Sequence, residues 1–521
     1  MTKLQSITRG FAVLLVAFLV AEVGAQWPGD AGVNMVICDR AGEQTLPRMA
    51  ATSDGGCYVC WYDNTSGNYD LYLQRLNGDG EIQWQYNGLL ISNHPQEAWF
   101  TDYDMTVDGD DHAIIVFNDI RNGPDWDIYA YRISPEGNFA WGSDGLTISN
   151  NDGFEPDPRV TITSNGNIVI AWMEETIGLD QIVHLRKLTS AGDDFWSDPS
   201  TITLTSTHGL SVPRIARSDN DGVILQVLVA TGPDFWDPKD LYMHKFDSNG
   251  DALWGASGIA VSTAGGFLPQ MRPDIAADDA GGVFSYWYDA RNTYHHVYVQ
   301  HIQSDGTVCW TPNGVLASTA VGEMQMNPSL VYLPSSEAVM VFYKASNLSQ
   351  SVFGVQGQKL NMNGERQWSN NGVVLVPLSG KENSWVTALL QVDGAIVTYF
   401  ENPIDDSINS LVKAIRVDGN GTPVWDTSPV VMTTTVSKKL YLRADVNGAG
   451  QVITVWRDLR VSENGDMYLQ NINRDGSLGA LSTEIPTLSE WGMIILALLL
   501  LAFSTIAVIR RRQKISQQQA C

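Results

Sequence analysis

Seven turns of the form Gly-x-x-x-Trp punctuate the chain, at Gly80/Trp84, Gly137/Trp141, Gly192/Trp196, Gly250/Trp254, Gly306/Trp310, Gly364/Trp368 and Gly421/Trp425. An eighth glycine, Gly476, keeps the step but has no Trp after it. Successive glycines lie 57, 55, 58, 56, 58, 57 and 55 residues apart. A second series of large apolar residues runs in step: Trp61, Phe117, Trp172, Val227 or Leu228, Trp287, Phe342, Tyr399 or Phe400, and Trp456. A fixed period of this length means one supersecondary unit used eight times, because a single unit cannot bury its own apolar face. At 521 residues the chain is too long for one ordinary compact domain unless that domain is built of repeats.

The first unit reads as four strands. PRMAAT (47–52) precedes a Gly-Gly turn, CYVCWYD (57–63) follows, YDLYLQRLN (69–77) is the third run, and GDGEIQW (78–84) turns into a fourth that ends with GLLIS (88–92). Runs rich in Val, Ile, Tyr and Trp, separated by Asn, Asp and Gly, are strands and hairpins. Helical periodicity is nearly absent between the two terminal segments. The pattern predicts an all-β fold over residues 26–484: a single eight-bladed β-propeller with four antiparallel strands per blade, whose closure protects the sheet edges. The two ends of that segment are complementary. Trp27, Gly32 and the run 33–37 match the last strand of a unit, as in Trp141, Gly145 and 146–148, while the eighth unit stops at Gly476-Ser-Leu-Gly without Trp or fourth strand. The N-terminal strand is therefore expected to complete the last blade; an open solenoid would not need this complementarity. One Trp per blade at one position reads as packing between blades.

The Gly-x-x-x-Trp turn resembles the tryptophan docking turn of quinoprotein dehydrogenase propellers, which also have eight blades. The match is partial: no unit carries the usual Thr-Gly-Lys before its Trp, and the chain has no vicinal Cys pair. The turn also differs from the Asp box of sialidases, which places Gly one residue nearer the Trp. These resemblances imply propeller geometry and carry no chemistry.

Both termini read as addresses. Residues 1–25 have Lys3 and Arg9, the apolar run 11–21 and then Val23-Gly24-Ala25, the order of a signal peptide cleaved before Gln26. Residues 491–509 are nineteen positions without a charge, followed by Arg510, Arg511 and Arg512. That length spans a bilayer as a transmembrane helix, with the arginines on the cytoplasmic side. Just before it stands Ile485-Pro486-Thr487-Leu488, two residues, then Trp491-Gly492. Residues 485–521 closely resemble the IPTL-CTERM sorting signal of Gram-negative bacteria. The resemblance implies export across the inner membrane, membrane attachment through the C-terminal helix before processing, cleavage by an exosortase-like enzyme, and delivery to the envelope, surface or extracellular matrix.

The formal net charge is −26; the leader carries +1 and the tail +3, leaving −30 on the body. Such a surface repels nucleic acid and anionic lipid, so no nucleic-acid partner is expected. In a four-stranded blade, the loops between strands two and three share a face with the joins between blades. Here those loops are the long, variable ones, such as 63–70, 119–127, 230–240, 289–296 and 401–409, with joins at 94–102, 150–158, 265–273 and 380–385. Binding on a rigid scaffold usually lives in such loops. This face offers Trp99, Trp126, Trp236, Tyr294, His295, His296 and Trp385 among many carboxylates, a composition suited to carbohydrate or peptide recognition. Asp-x-Arg recurs after the second strand as Asp119/Arg121, Asp289/Arg291 and Asp458/Arg460; it reads as a repeated turn clamp, with ligand binding by the three arginines as the alternative.

Asp-rich turns at 108–111 and 219–222 offer oxygen ligands of the kind Ca²⁺ takes, but hairpin chemistry explains them first. Cys57 and Cys60 lie in one strand and point to opposite faces, so no zinc site is expected; Cys38 with either of them is a candidate disulfide, and Cys309 stands apart. No metal site or other cofactor is expected. H-E-x-x-H, Walker A and G-x-S-x-G motifs are absent; pairs such as Glu174-Glu175 and Asp405-Asp406 could act as acid and base, yet adjacent carboxylates in an acidic loop are usually just solvated. The sequence thus points to an exported binding or scaffold module, with polysaccharide or another surface protein as its partner. A propeller enzyme, glycoside-cleaving or oxidoreductase, and a purely structural surface protein are the alternatives.

Overall fold

The computed structural model describes residues 27–96, 103–175, 181–197, 199–404, 409–481 and 498. The expected signal peptide and, but for residue 498, the segment 485–521 lie outside the described residues. The strands form eight four-stranded antiparallel sheets. Seven blades use consecutive strands, spanning 44–92, 103–149, 159–204, 210–262, 274–316, 323–379 and 381–431. The eighth has only three strands of its own, Lys439–Val446, Val452–Asp458 and Asp466–Ile472. Its outer strand is Met35–Cys38 from the other end of the chain. Met35 pairs with Leu469, Val36 with Tyr468 and Cys38 with Met467. The opening stretch of the body is the missing fourth strand, as the complementary ends predict.

One contact joins every blade to the next. Each repeat Trp donates its indole N–H to a backbone carbonyl in the following blade's Gly turn. Trp27 reaches Gly78, Trp84 Pro135, Trp141 Ser190, Trp196 Ser248, Trp254 Ser304, Trp310 Met362, Trp368 Gly419 and Trp425 Arg474, at 2.8–3.3 Å. Trp27 is the eighth member, supplying from the N-terminus the Trp that the last unit lacks. The glycines of the turns make room for these rings. A Cβ on Gly80 would lie 2.7 Å from Trp27, and one on Gly306 2.8 Å from Trp254. Both also need positive φ, +85° and +88°.

Eight apolar clusters fill the spaces between neighbouring blades. The series from the second strands is buried throughout, and the structure settles its ambiguous members. Val227 and Tyr399 hold the repeat position. In the sixth blade Tyr343 does, not Phe342: Tyr343 joins the cluster shared with blade 5, while Phe342 joins the one shared with blade 7. Adjacent strand residues face opposite ways, so one step of register exchanges the two interfaces.

The innermost strands leave one edge facing the channel, and its backbone donors need partners. Side chains of the preceding blade supply some: Asp445 accepts from Ala51 N–H at 2.8 Å, Asp104 from Val160 at 3.1 Å and Ser329 from Ala388 at 2.9 Å. Near its start this strand bulges in blades 1, 4, 6, 7 and 8, with Leu46, Val212, Asn327, Trp385 and Tyr441 at φ of +50° to +57°. Asp157, just ahead of the inner strand of blade 3, has φ +61°.

The buried indoles of the second strands need acceptors of their own. Trp287 and Trp456 donate to Asp289 and Asp458, each at 2.8 Å. Trp172 has no such Asp and donates to Glu155 at 3.1 Å. Glu155 also accepts from Ser149 and Asn151, all on Oε1, and its Oε2 is buried without a partner. Burial pushes its carboxyl up to about 8, against hydrogen bonds from Ser149 and Trp172 that lower it.

Two predictions follow from these contacts. Gly142 shares the φ of Gly306, +89° against +88°, but a Cβ there meets open space. Gly142→Ala should therefore cost only the backbone term, about 1–2 kcal/mol. Gly306→Ala should cost roughly 1–3 kcal/mol more, because it forces Trp254 out of its seat; chemical denaturation of the two variants reads the difference. Glu155 has a folded-state pKa raised from 4.5 to about 8, so the unfolded chain releases its proton first. Its contribution is best below about pH 4.5 and is lost as pH rises towards 8. Glu155→Gln should match or fall slightly below the parent at pH 5 and exceed it at pH 8–9 in melting temperature; parallel pH profiles would contradict the assignment.

Candidate binding face

Backbone hydrogen bonds tie the loops between strands two and three to the joins between blades. Asn64 N–H donates to Glu43, Ile120 to Pro95, Leu210 to Gln181, Ala290 to Gly266, Ile404 to Gly380 and Leu459 to Lys438, at 2.9–3.3 Å. These segments therefore make one face, at the starts of the inner strands.

The aromatic residues expected on this face are dispersed around it. Trp236 is 72% exposed and Phe235 beside it 64%, their rings edge-on at 5.1 Å. Trp385, 37% exposed at the inner-strand bulge of blade 7, meets Tyr441 edge-on, and the Arg443 guanidinium lies 4.7 Å from its ring centre. Trp126 packs edge-on against Phe154. His295 packs against Tyr288; burial lowers the pKa of both His295 and His296. Trp99 lies outside the described residues. Among the described residues they are spread over blades 2, 4, 5 and 7.

Arg121, Arg291 and Arg460 each close a local clamp. Their guanidiniums pair with Asp119, Asp289 and Asp458, two residues earlier. Each lies over a Tyr of the third strand, Tyr129 at 3.5 Å, Tyr298 at 3.9 Å and Tyr468 at 3.9 Å. Blade 1 builds the same layer differently, with Arg40 from the preceding join 4.0 Å from Asp63 and 4.1 Å over Tyr72. The three arginines sit in blades 2, 5 and 8 and are not gathered at one point.

What the structure does gather is a different set. Asp157 is bounded by three arginines from three successive blades: Arg159, Arg214 at 3.8 Å and Arg272 at 3.2 Å. Arg214 also lies 3.7 Å from Asp274. The side chains of Arg159 and Arg214 are largely buried, while Arg272 is 55% exposed. Burial lowers the Arg214 pKa, and the charges of Arg159 and Arg272 lower it further. Sequence reasoning missed this group. The available signal was x-Pro-Arg at the start of inner strands, Leu46-Pro47-Arg48, Asp157-Pro158-Arg159 and Val212-Pro213-Arg214, with Arg272-Pro273 reversing the order.

The Asp-rich turns are already met by the protein's own cations. Asp108, Asp110 and His112 have their ligand atoms close together, but Arg132 lies 2.7 Å from Asp108 and 3.7 Å from Asp110. Asp219 and Asp221 pair with Lys245 at 2.6 Å and Lys187 at 2.7 Å. Cys38, Cys57, Cys60 and Cys309 are free thiols; Cys57 and Cys60 face different inter-blade clusters, and Cys38 is directed at Asp63. Of the paired carboxylates, Glu174 binds His184 at 2.9 Å, and Asp405-Asp406 lie outside the described residues.

Comparison with known proteins adds one specific finding: residues 485–513 match the IPTL-CTERM motif. No curated protein matches the chain in sequence. Similar solved structures include a puromycin hydrolase, at 13% identity over 84% of this chain with a TM-score of 0.43, of which this chain spans 61%. A PL25 ulvan lyase bound to -[GlcA(1-4)Rha3S]- is 10% identical over 76% of this chain and 97% of its own, with a TM-score of 0.45. An α-L-arabinanase from Penicillium chrysogenum is 12% identical over 61% of this chain and 92% of its own, with a TM-score of 0.35. These likenesses carry no argument about chemistry. The chain is an eight-bladed propeller bearing an IPTL-CTERM sorting motif, which implies a secreted, surface-sorted protein processed by an exosortase-like enzyme.

Proposed function

We propose that this propeller is a binding module of the bacterial surface or extracellular matrix, and that its loop face holds polysaccharide. In this reading residues 1–25 direct export and are removed, the span 491–509 holds the chain in the inner membrane of a Gram-negative cell until processing, and the body 26–484 is released to the envelope or matrix. The observation that carries the ligand class is the exposure of Trp236 and Phe235, with Trp385, on the face built from the variable loops. Aromatic rings that a folded chain leaves in water beside Asn, Asp and Arg provide the flat apolar faces and hydrogen-bonding rims that sugar rings use. Their dispersal around the face suits an extended polymer touching several points better than a small ligand in one pocket.

The test incubates the full chain, purified in detergent, with a panel of bacterial polysaccharides, with and without Ca²⁺, and scores binding and cleavage products in the same samples. Binding without products is expected. Trp236→Ala and Trp385→Ala should each weaken it about fivefold, the worth of one stacked ring at about 1 kcal/mol. Cleavage products would contradict the binding-module reading and direct attention to the carboxylates.

A further inference from the structure

Two aromatic pairs flank the channel on the loop face, and the frame of the fold needs neither. The bulge near the start of the inner strand is a repeated position, with φ of +52° to +57° at Leu46, Val212, Trp385 and Tyr441. In blades 1 and 4 its side chain, Leu46 or Val212, packs into a cluster between blades. Among the described residues, Trp385 and Tyr441, which hold it in blades 7 and 8, belong to none of the eight clusters. Trp385 instead keeps 37% of its surface in water, with its ring edge-on to Tyr441 at 5.8 Å. A bulky residue held at positive φ and left in water is strained without gain to the core.

The other pair stands on the loop 231–238 of blade 4. Thr231 N–H donates to the Pro238 carbonyl at 3.1 Å, and Asp237 N–H to the Asp234 carbonyl and Asp234 N–H to Asp237 Oδ2, each at 2.9 Å. The buried Lys239 ammonium donates to the Phe235 carbonyl at 2.8 Å. The backbone is fastened on both sides of Phe235 and Trp236, yet both rings are in water, so the loop presents them rather than failing to pack them. The inner strands touch in chain order, and that of blade 8 touches that of blade 1. In such a ring blade 4 lies opposite blade 8, so the two pairs face each other across one mouth.

We propose that a single neutral polysaccharide chain crosses this mouth and stacks on both pairs at once, Phe235 and Trp236 on one side and Trp385 and Tyr441 on the other. The proposal rests on the polysaccharide reading of the loop face and adds the ligand's charge and its span. A body of −30 repels a polyanion along its whole length, whereas stacking on a ring needs no charge. Two weak contacts on one chain reinforce each other, because the first sets the effective concentration for the second. A short sugar makes only one of them.

The full chain in detergent is tested with neutral polymers, each beside its own trisaccharide: dextran with isomaltotriose, laminarin with laminaritriose, pullulan with maltotriose, and any neutral polymer that binds in the wider panel. Counted per sugar residue, at least one polymer should bind about a hundredfold more tightly than its trisaccharide. Phe235→Ala combined with Trp236→Ala should bring the polymer down to the affinity of the trisaccharide. The same change should halve the number of trisaccharides bound and leave their affinity unaltered. Trp385→Ala combined with Tyr441→Ala should do likewise. Because Phe235 and Trp236 are exposed, the first double variant should keep the parent's melting temperature. If the pairs act independently, removing one will lower polymer affinity by no more than about twofold, and the bridging chain is overturned. Binding confined to charged polymers also overturns it, and in both cases polysaccharide binding itself stands. Binding of no polymer overturns both.

Discussion

The seating of each repeat Trp against the next blade's Gly turn is the constraint on which everything else depends. A single blade cannot bury its own apolar faces and needs its neighbours to cover them. The indole supplies a large apolar surface, and its N–H fixes the angle at which the next blade arrives by finding one particular carbonyl. Eight repeats of that relation bring the chain back to its start, where Trp27 seats on the Gly78–Gly80 turn and Trp425 on the turn at Gly476. The seam is held by strand pairing and by long-range side-chain bonds, such as Arg460 to Asn34 at 2.9 Å and Gln470 to Pro28 at 2.7 Å. No covalent link among the described cysteines closes it.

A ring held from between its blades leaves its loops free to vary. The clamps of Arg121, Arg291 and Arg460 belong to this frame: each fixes the exit of a second strand, so that the loop beyond it starts from a defined point. The cluster around Asp157 departs from the frame. It brings Arg159, Arg214 and Arg272, from blades 3, 4 and 5, to one carboxylate.

The architecture was legible because it repeats. A glycine that must adopt positive φ beneath an indole leaves the same two letters in seven of the eight units, and the truncated units at the two ends spell out the closure. The register within a strand was less legible: Phe342 and Tyr343 are both large and aromatic, and only the neighbouring blades decide which one faces blade 5. The candidate site was partly legible. The face followed from strand order, and Trp236 was found by its place in a long loop. The grouping of Asp157 with Arg272 was not, because the two are 115 residues apart and meet only when the ring curves them together. Glu155 escaped for a similar reason, since nothing in the join 150–158 shows that its carboxylate replaces an Asp missing after Trp172.

The closed ring is the central claim, and removal of its closing segment tests it most directly. Thermal unfolding of the chain lacking residues 26–38, which hold Trp27 and the strand Met35–Cys38, should be compared with that of the intact body. A ring closed in this way loses the docking of blade 1 and the outer strand of blade 8 together. Its melting temperature should fall sharply, and exchange protection should be lost first in Asp466–Ile472, the strand that pairs with the missing segment. An unchanged melting temperature, with that strand still protected, would contradict closure and leave the blades as an open array.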